Sequence, residues 1–319
     1  MSRSIVILAG GLSHERDVSI RSGRRVADAL RAVGETVTVH DLDAGLLGDL
    51  ATSPPDCVIP LLHGASGEDG SLRDVLDSLG VPYVGSQPDA CRLAFDKMVA
   101  KAHVASADLH TAPAVALPHA TFRDLGAGAV LDALVARMGL PLIVKPTRGG
   151  SALGVAIVGD LADLPAAMVG CFAYADTAML EALVVGTEVA VTVIEEADGS
   201  TRALPAVEIV PDSGVYDYAS RYTAGTTEFF APARLDQDVA AECARVALAA
   251  HERLGLRHLS RADLIVDRAG QVTFLEVNVA PGCTETSLLP QAVEAAGLDL
   301  GHVFQVLVAR AMGAGDGAQ

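Results

Sequence analysis

Long apolar runs are missing from this sequence of 319 residues. No segment reaches the ~18 consecutive apolar residues of a membrane-spanning helix. The first residues, MSRSIVILAGG, carry one arginine and a short apolar run that ends at two glycines. This pattern favours a first strand over a signal peptide, so we expect no membrane association.

Cysteine and positive charge are also scarce. The five cysteines are scattered and form no CxxC pair, which favours a reduced, cytoplasmic protein without structural zinc. The 40 acidic residues outnumber the 23 basic ones and give a net charge of −17. Such a charge argues against nucleic acid as a partner, because a polyanion would be repelled from most of the surface.

Lysine is the scarcest charged residue: the 23 basic residues include only Lys97, Lys101 and Lys145. A lysine retained in such an arginine-rich background suggests a site that needs a compact point charge. For Lys101, which falls in a predicted surface helix, chance is the simpler explanation.

The length predicts two or three domains. Up to about residue 95, strands alternate with helices, which predicts a parallel α/β layer. Beyond that point paired strands appear, as in 140–158, where two apolar strands flank a glycine-rich turn. Residues 211–228 are rich in Gly, Ser, Thr and Tyr without periodicity, which predicts a long loop of the kind that often acts as a lid.

Oxygen-bearing side chains interrupt an apolar strand near the C-terminal end. In FLEVNVAPG, Glu276 and Asn278 are two residues apart and therefore share a face. A short turn joins this strand to SRADLIVD, so antiparallel pairing can place Asp263 beside them. Two carboxylates and an amide oxygen suit Mg²⁺. The alternative is a solvated edge at which Glu276 pairs with an arginine.

Three glycine-containing loops are candidates for ligand binding. RGGSALG (148–154) lies between strands and can hold phosphate through backbone N–H groups. It is neither a Walker A loop nor a dinucleotide fingerprint, and an ordinary β-turn is the alternative. His63 begins a glycine-rich loop at a strand's carboxyl end, where α/β sheets bind ligands, and Glu15 follows a similar loop. For His63, a purely structural hydrogen-bonding role is the alternative.

Together these segments resemble the D-alanine–D-alanine ligase family of ATP-grasp enzymes. The resemblance runs in family order through LAGGLSHERDVSIRSG, LLHGASGEDGSLRDVLDSLGVPYVGS, FDKMVAK, VKPTRGGSALGV, VVGTEV, VYDYASRY, SRADL and EVNVAPGCTETSLLP. It implies an α/β (α+β) fold with ATP between two antiparallel sheets. The implied domains are an N-terminal parallel α/β substrate domain (1–95), a central ATP-grasp domain (96–182) and a C-terminal ATP-grasp domain (183–319) with the lid 211–228. It also implies a homodimer.

The same resemblance implies ATP as a substrate and two Mg²⁺ ions, for which Mn²⁺ can substitute. The residues implied to bind ATP are Lys97, Lys145, Ser151, Glu181, Leu183, Glu188 and Arg221. The implied metal ligands are Asp263, Glu276 and Asn278, with Glu276 bridging the two ions.

On the substrate side, the resemblance implies that two D-alanines are joined through an acyl phosphate to make a peptidoglycan precursor. The residues implied to bind D-alanine are Glu15 and His63 for the first molecule and Ser287 and Leu288 for the second. The residues implied to act in catalysis are Glu15, Ser151 and Tyr222, which close the site, and Arg261 and the Gly282 N–H, which stabilise the oxyanion.

Four positions depart from the family pattern: Ala152, Arg221, Val279 and Cys283 replace Ser, Lys, Thr and Met. These departures leave open a relative that joins D-alanine to D-serine or D-lactate, or a dipeptide ligase of a secondary pathway. A third alternative is a nucleotide-binding regulator without catalysis, although no metal or phosphate residue of the pattern is missing.

Overall fold

The computed structural model describes residues 2–313 apart from 213, 215, 217–219, 222 and 224, and the described strands form three sheets. In chain order the strands are β1 (Ser4–Leu8), β2 (Thr36–His40), β3 (Cys57–Pro60), β4 (Ala114–Pro118), β5 (Leu142–Pro146), β6 (Ala156–Val158), β7 (Thr177–Ala182), β8 (Thr187–Glu195), β9 (Thr201–Ala203), β10 (Val207–Pro211), β11 (Thr227–Phe230), β12 (Leu259–Val266) and β13 (Val272–Asn278). The α-helices are Arg16–Ala32, Leu46–Thr52, Ala65–Glu68, Ser71–Leu79, Pro88–Phe95, Lys97–Ala105, His119–Leu125, Ala127–Met138, Leu164–Phe172, Gln237–Arg253, Leu288–Ala295 and Leu300–Gly313, and Leu161–Asp163 is a 3₁₀ turn.

The first sheet is parallel and has the strand order β2–β1–β3. Alternate side chains of β1 pack into two different core clusters, as expected for a parallel strand covered on both faces. Helix Arg16–Ala32 covers one face together with the last helix, Leu300–Gly313. These helices cross closely at Gly301, where a Cβ would lie 2.4 Å from the Ala29 carbonyl oxygen. The predicted parallel α/β layer is therefore confirmed.

The second sheet is antiparallel, with the order β4–β7–β5–β6. Helices Ala127–Met138 and Leu164–Phe172 cover one face and share a core cluster with Leu142 of β5. The apolar strands predicted on either side of the glycine-rich turn are β5 and β6, and they pair as predicted. The other face of the sheet presents Ile143 and Ile157, which helix packing leaves partly exposed.

The third sheet is antiparallel and has the order β11–β10–β8–β12–β13, with β9 beside β8. Helix Gln237–Arg253 packs on one face of this sheet. The predicted pairing of the last two strands is confirmed, and Asp263 lies opposite Glu276 while Arg261 lies opposite Asn278. The register shifts just after Asp263, and a bulge of this kind re-aims neighbouring side chains. The limits of the three domains remain a prediction.

Within the described residues, no one helix has the length and apolar character needed to cross a membrane. The bent pair Leu288–Ala295 and Leu300–Gly313 meets both requirements only when its two helices are taken together. Both helices contribute buried side chains to a core cluster of the protein, among them Leu289 and Phe304.

Candidate active site

A cavity of about 540 Å³ lies between the second and third sheets. Its walls include the apolar side chains of Ile143, Leu183 and Leu275, while Lys145 and Glu276 line it with charge. The glycine-rich turn after β5 closes one side. An apolar slot with a few convergent polar groups suits a flat ring system attached to charged groups.

Lys97 is the first residue of helix Lys97–Ala105, whose start is capped by the Asp96 carboxylate. Its ammonium group donates a hydrogen bond to the Gly149 carbonyl oxygen at 2.8 Å and lies 3.2 Å from the Glu276 carboxylate. The lysine thus joins the glycine-rich turn to β13. This position gives it a buried positive charge at one end of the cavity.

Lys101 lies one helical turn after Lys97 and is 4% exposed, so its predicted placement on a surface helix was wrong. This face of the helix packs against the sheets, and the Lys101 ammonium bonds one carboxylate oxygen of Glu181. The Lys145 ammonium lies 2.6 Å from the other oxygen. All three lysines of the chain therefore meet beside one cavity, whereas sequence reasoning singled out only two of them.

The carboxylates of Asp263 and Glu276 both line the cavity from neighbouring strands. Arg261 donates to both oxygens of Asp263, from Nε at 2.7 Å and from Nη2 at 2.8 Å. Burial raises the pKa of Glu276, but Lys97 and Lys145 outweigh that effect and hold the pKa at about 2. Glu276 is therefore held as an anion by its basic neighbours, while Asp263 is paired with Arg261.

These residues fit a divalent cation. Asp263 and Glu276 face each other across the strand pair, and Asn278 follows on the same face of β13. One lone pair of the Asn278 oxygen accepts from the Ala280 N–H at 2.8 Å, and the second remains for a ligand bond. Among the described residues, no group of three or more His, Cys, Asp and Glu side chains is arranged to bind a metal. A cation here would therefore need Asn278 and oxygens from a bound phosphate as further ligands.

The glycine-rich turn bends through an unusual backbone conformation at Ser151 and Ala152, whose φ angles are 52° and 56°. This conformation is uncommon for residues other than glycine and often marks functional sites. The Ser151 hydroxyl donates to the Glu15 carboxylate, which also approaches Gly150. The turn is thus joined to the loop after β1, although 136 residues separate the two partners.

His63 lies at the carboxyl end of β3 and is 4% exposed. Its Nε2 atom is buried and has no hydrogen-bond partner among the described residues, and burial lowers its pKa. Nearby Glu68 accepts a hydrogen bond from the Gly64 N–H at 2.8 Å, and burial raises the pKa of Glu68 to about 8. Buried polar atoms without a partner are rare in proteins, and the ligand-binding role of His63 stays a prediction.

Gly282 and Ser287 are in contact in the turn after β13. A Cβ on Gly282 would lie 2.9 Å from the Ser287 hydroxyl. The same hydroxyl accepts a hydrogen bond from the Thr284 N–H at 2.9 Å. Leu288 begins helix Leu288–Ala295 and buries its side chain in the core. The N–H groups of a helix's first turn lack partners within the helix and attract carboxylates.

The other residues predicted to bind the nucleotide do not all line the cavity. Leu183, Glu188 and Arg221 line the cavity, whereas the carboxylate of Glu181 lies behind it between two lysines. Burial raises the pKa of Glu188 to about 7. Arg221 stacks 4.3 Å from the Tyr216 ring centroid. The predicted lid tyrosine, Tyr222, lies outside the described residues.

Two of the departures from the family pattern are core residues. Val279 and Cys283 are 2% and 0% exposed, and burial raises the pKa of the Cys283 thiol to about 12. The Cys283 N–H donates to the Ser22 hydroxyl at 2.9 Å. Any effect of these two residues on a substrate would act through packing beneath the turn.

A second and larger cavity, of about 1130 Å³, lies on the opposite side of the glycine-rich turn. Gly149 and Gly150 line both cavities, while Glu15 and His14 line only the larger one. The turn therefore separates a cavity lined by Lys97, Lys145 and Glu276 from a cavity that reaches Glu15.

Similarity to known proteins identifies the family of this chain. The family model described as "D-ala D-ala ligase C-terminus" matches residues 104–309. The D-alanine–D-alanine ligase of Anaeromyxobacter dehalogenans (strain 2CP-1) is 40% identical over 298 residues, which cover 93% of this chain and 92% of that protein. The chain belongs to the D-alanine–D-alanine ligase family.

Solved structures place this member of the D-alanine–D-alanine ligase family in the ATP-grasp fold, which confirms the predicted fold class. The D-alanine–D-alanine ligase from Bacillus anthracis complexed with ATP superimposes with a TM-score of 0.80 at 25% identity, covering 100% of both chains. The VanG D-Ala:D-Ser ligase from Enterococcus faecalis gives a TM-score of 0.83 at 24% identity and covers 98% of this chain and 100% of its own. At that identity the likeness concerns the fold alone.

Proposed function

We propose that this protein uses ATP to join two molecules of D-alanine, releasing ADP and phosphate. The observation that carries the proposal is the convergence of Lys97, Lys145 and the glycine-rich turn on one cavity with the facing carboxylates of Asp263 and Glu276. This set of charges suits a nucleotide triphosphate, and the chain is a member of the ligase family. The dipeptide product would serve peptidoglycan precursor synthesis.

In the first half-reaction, a carboxylate oxygen of the first D-alanine attacks the γ-phosphorus of ATP. The bond from that phosphorus to the β-phosphate bridging oxygen breaks, and an acyl phosphate and ADP form. Attacker and target are both anions, so their approach needs positive charge. Lys97 and Lys145 lie at the charged end of the cavity and would supply it. Glu15 would bind the ammonium group of the same D-alanine.

Asp263, Glu276 and Asn278 are the residues that would hold Mg²⁺. When bound, Mg²⁺ or Mn²⁺ neutralises phosphate charge and orients the phosphates for in-line transfer. Arg261 would keep Asp263 in position through its two hydrogen bonds while the carboxylate serves as a ligand.

In the second half-reaction, the neutral amine of the second D-alanine attacks the acyl carbon. The tetrahedral oxyanion would receive hydrogen bonds from Arg261 and the Gly282 N–H, and the amine loses a proton as phosphate leaves. Ser287 and the start of helix Leu288–Ala295 would bind the second carboxylate, because helix N-termini attract anions. An acyl phosphate is hydrolysed easily, so the reaction requires exclusion of water.

The test is a substrate screen with purified full-length protein, ATP and Mg²⁺, in which ADP, phosphate and the ligated product are all quantified. D-alanine alone should release ADP, phosphate and dipeptide in equal amounts. Parallel reactions pair D-alanine with D-serine or D-lactate at about pH 6 and about pH 8, because a hydroxy acid has no ammonium to deprotonate. Absence of ADP with D-alanine, combined with turnover of another pair, would overturn the assignment.

Glu276→Gln tests the proposed cation site. The substitution should abolish turnover, because an amide provides one neutral oxygen where a charged carboxylate is needed. Glu228→Gln is a matched control, since Glu228 is an exposed acid on edge strand β11 of the same sheet. Equal activity of Glu276→Gln and the control would remove the cation assignment.

A further inference from the structure

We propose that Lys101 is a positioning residue for nucleotide binding: it neutralises Glu181, so that Lys145 can exchange Glu181 for a phosphate. This inference rests on the proposed use of ATP. It concerns a residue that sequence reasoning assigned to chance, and it starts from one buried carboxylate that contacts two ammonium groups.

The first step is the geometry of this cluster. Glu181 on β7 is 1% exposed, and Lys145 lies on the adjacent strand β5. Residue 143 lies directly opposite Glu181, so Lys145, two residues further, projects from the same face of the sheet. Lys101 reaches the carboxylate from helix Lys97–Ala105. Two strands and one helix therefore bring three charges together inside the protein.

The second step is the inequality of the two contacts. Lys101 makes a hydrogen bond to Oε1 of Glu181. Lys145 lies 2.6 Å from Oε2 and forms an ion pair with it. Lys145 also lines the cavity of about 540 Å³ that is proposed to bind ATP, whereas Lys101 does not. Lys145 is therefore the partner that a ligand can reach and draw away.

The third step is charge balance. A buried carboxylate that loses its only counter-charge is strongly unfavourable. If Lys145 were the sole partner of Glu181, a bound phosphate would have to compete with that carboxylate for the same ammonium group. With Lys101 fixed on Glu181, the carboxylate stays paired and Lys145 can turn its charge to the ligand. Lys101, Lys145 and Glu181 together carry one positive charge in excess, and a phosphate can bind to that charge at Lys145.

The test measures nucleotide affinity directly, by calorimetric titration of the full-length protein with ADP and Mg²⁺ and without D-alanine. Lys101→Met should raise the Kd for ADP about tenfold, within the range of coupling seen for neighbouring charges. Lys101→Arg keeps the charge and should stay closer to the parent. In steady state, KM for ATP should rise more than KM for D-alanine changes.

A Glu181→Gln background separates this role from a general loss of structure. There is then no carboxylate to neutralise, so adding Lys101→Met should leave the Kd for ADP within about twofold of the Glu181→Gln value. This pair of proteins also provides the test if Lys101→Met alone fails to fold. Equal weakening by Lys101→Met in both backgrounds, or no weakening in either, would overturn the proposal. A parent protein that binds no ADP would instead overturn the proposed use of ATP.

Discussion

Replacing Arg261 with lysine would keep a positive charge in the site but remove the planar guanidinium. In the parent, two parallel hydrogen bonds of 2.7 and 2.8 Å join Arg261 to Asp263, and both residues are buried. A lysine ammonium is a point charge and cannot reproduce that fork. Arg261→Lys therefore leaves one oxygen of Asp263 without its donor and moves the donor proposed for the oxyanion.

The expected losses follow from these two bonds. A hydrogen bond to a charged group contributes about 1.5–3 kcal/mol, so the free energy of unfolding should fall by about that amount. Removal of an oxyanion donor typically lowers kcat by about 10²–10³, equivalent to ~2.7–4 kcal/mol in the barrier. KM for ATP should change less, because Arg261 does not line the cavity of about 540 Å³ that is proposed to bind ATP.

The assay is steady-state ADP release at saturating ATP and D-alanine, together with urea unfolding. Arg234→Lys is a matched control, since the Arg234 guanidinium also donates two hydrogen bonds to one carboxylate. The bonds run to Glu208 from Nε at 3.0 Å and from Nη2 at 2.7 Å. The Arg234 side chain is 56% exposed at the cavity rim, so kcat should remain within about threefold of the parent. A folded Arg261→Lys with near-parental kcat, or an equal loss in Arg234→Lys, would refute the reasoning.

Three further predictions concern stability, measured by urea unfolding. Glu68→Gln should gain stability relative to the parent as pH rises from about 5 to 8, because burial raises the pKa of Glu68 to about 8 and the unfolded carboxyl ionises first. His258→Ala should cost ~1–3 kcal/mol near neutral pH, because the Gly85 N–H loses the imidazole acceptor at 2.9 Å. Burial lowers the pKa of His258 to about 4, so the parent's advantage should shrink as pH falls below about 6.5. Gly186→Ala should destabilise by more than ~1 kcal/mol, since its Cβ would lie 2.1 Å from the Val266 carbonyl oxygen.

Controls make these measurements specific. Glu252→Gln makes the same substitution at an exposed acid and is the matched control for Glu68→Gln. Gly48 has open space around its Cβ position within a helix, so Gly48→Ala should stabilise by ~0.5–1 kcal/mol. A difference in unfolding free energy between Glu68→Gln and the parent that stays constant with pH would contradict the first prediction. The second would be contradicted if the stability lost by His258→Ala grew as the pH falls. Equal effects of Gly186→Ala and Gly48→Ala would contradict the third.

The strand pair that carries the acids was accessible from the sequence because its evidence is local. Alternation with a period of two places Glu276 and Asn278 on one face, and the short turn between β12 and β13 leaves antiparallel pairing as the simplest arrangement. The exact register was not accessible in this way, because Asp263 lies opposite Glu276 only through the register shift at the bulge after Asp263. The glycine-rich turn was also predicted from local evidence, because its glycines lie between two apolar strand segments.

The role of Lys101 was not accessible in this way. Apolar residues near helical spacing show that a helix forms, but a polar residue on it does not reveal which face another sheet will cover. Lys101 is buried because β7 brings Glu181 to that face, 80 residues further along the chain. The hydrogen bond between Ser151 and Glu15 is equally non-local.

By itself, the sequence determined the secondary structure around the site, the pairing of its last two strands and, through motif order, the family. Those features depend on period, turn length and residue type within short segments. Only the tertiary structure decided which charges face one another: Lys101 and Lys145 both contact Glu181, and Arg261 donates hydrogen bonds to Asp263. It also decided that one turn separates two cavities. The reason is that a buried charge must find its partner in space, and packing of distant elements, rather than local propensity, supplies that partner.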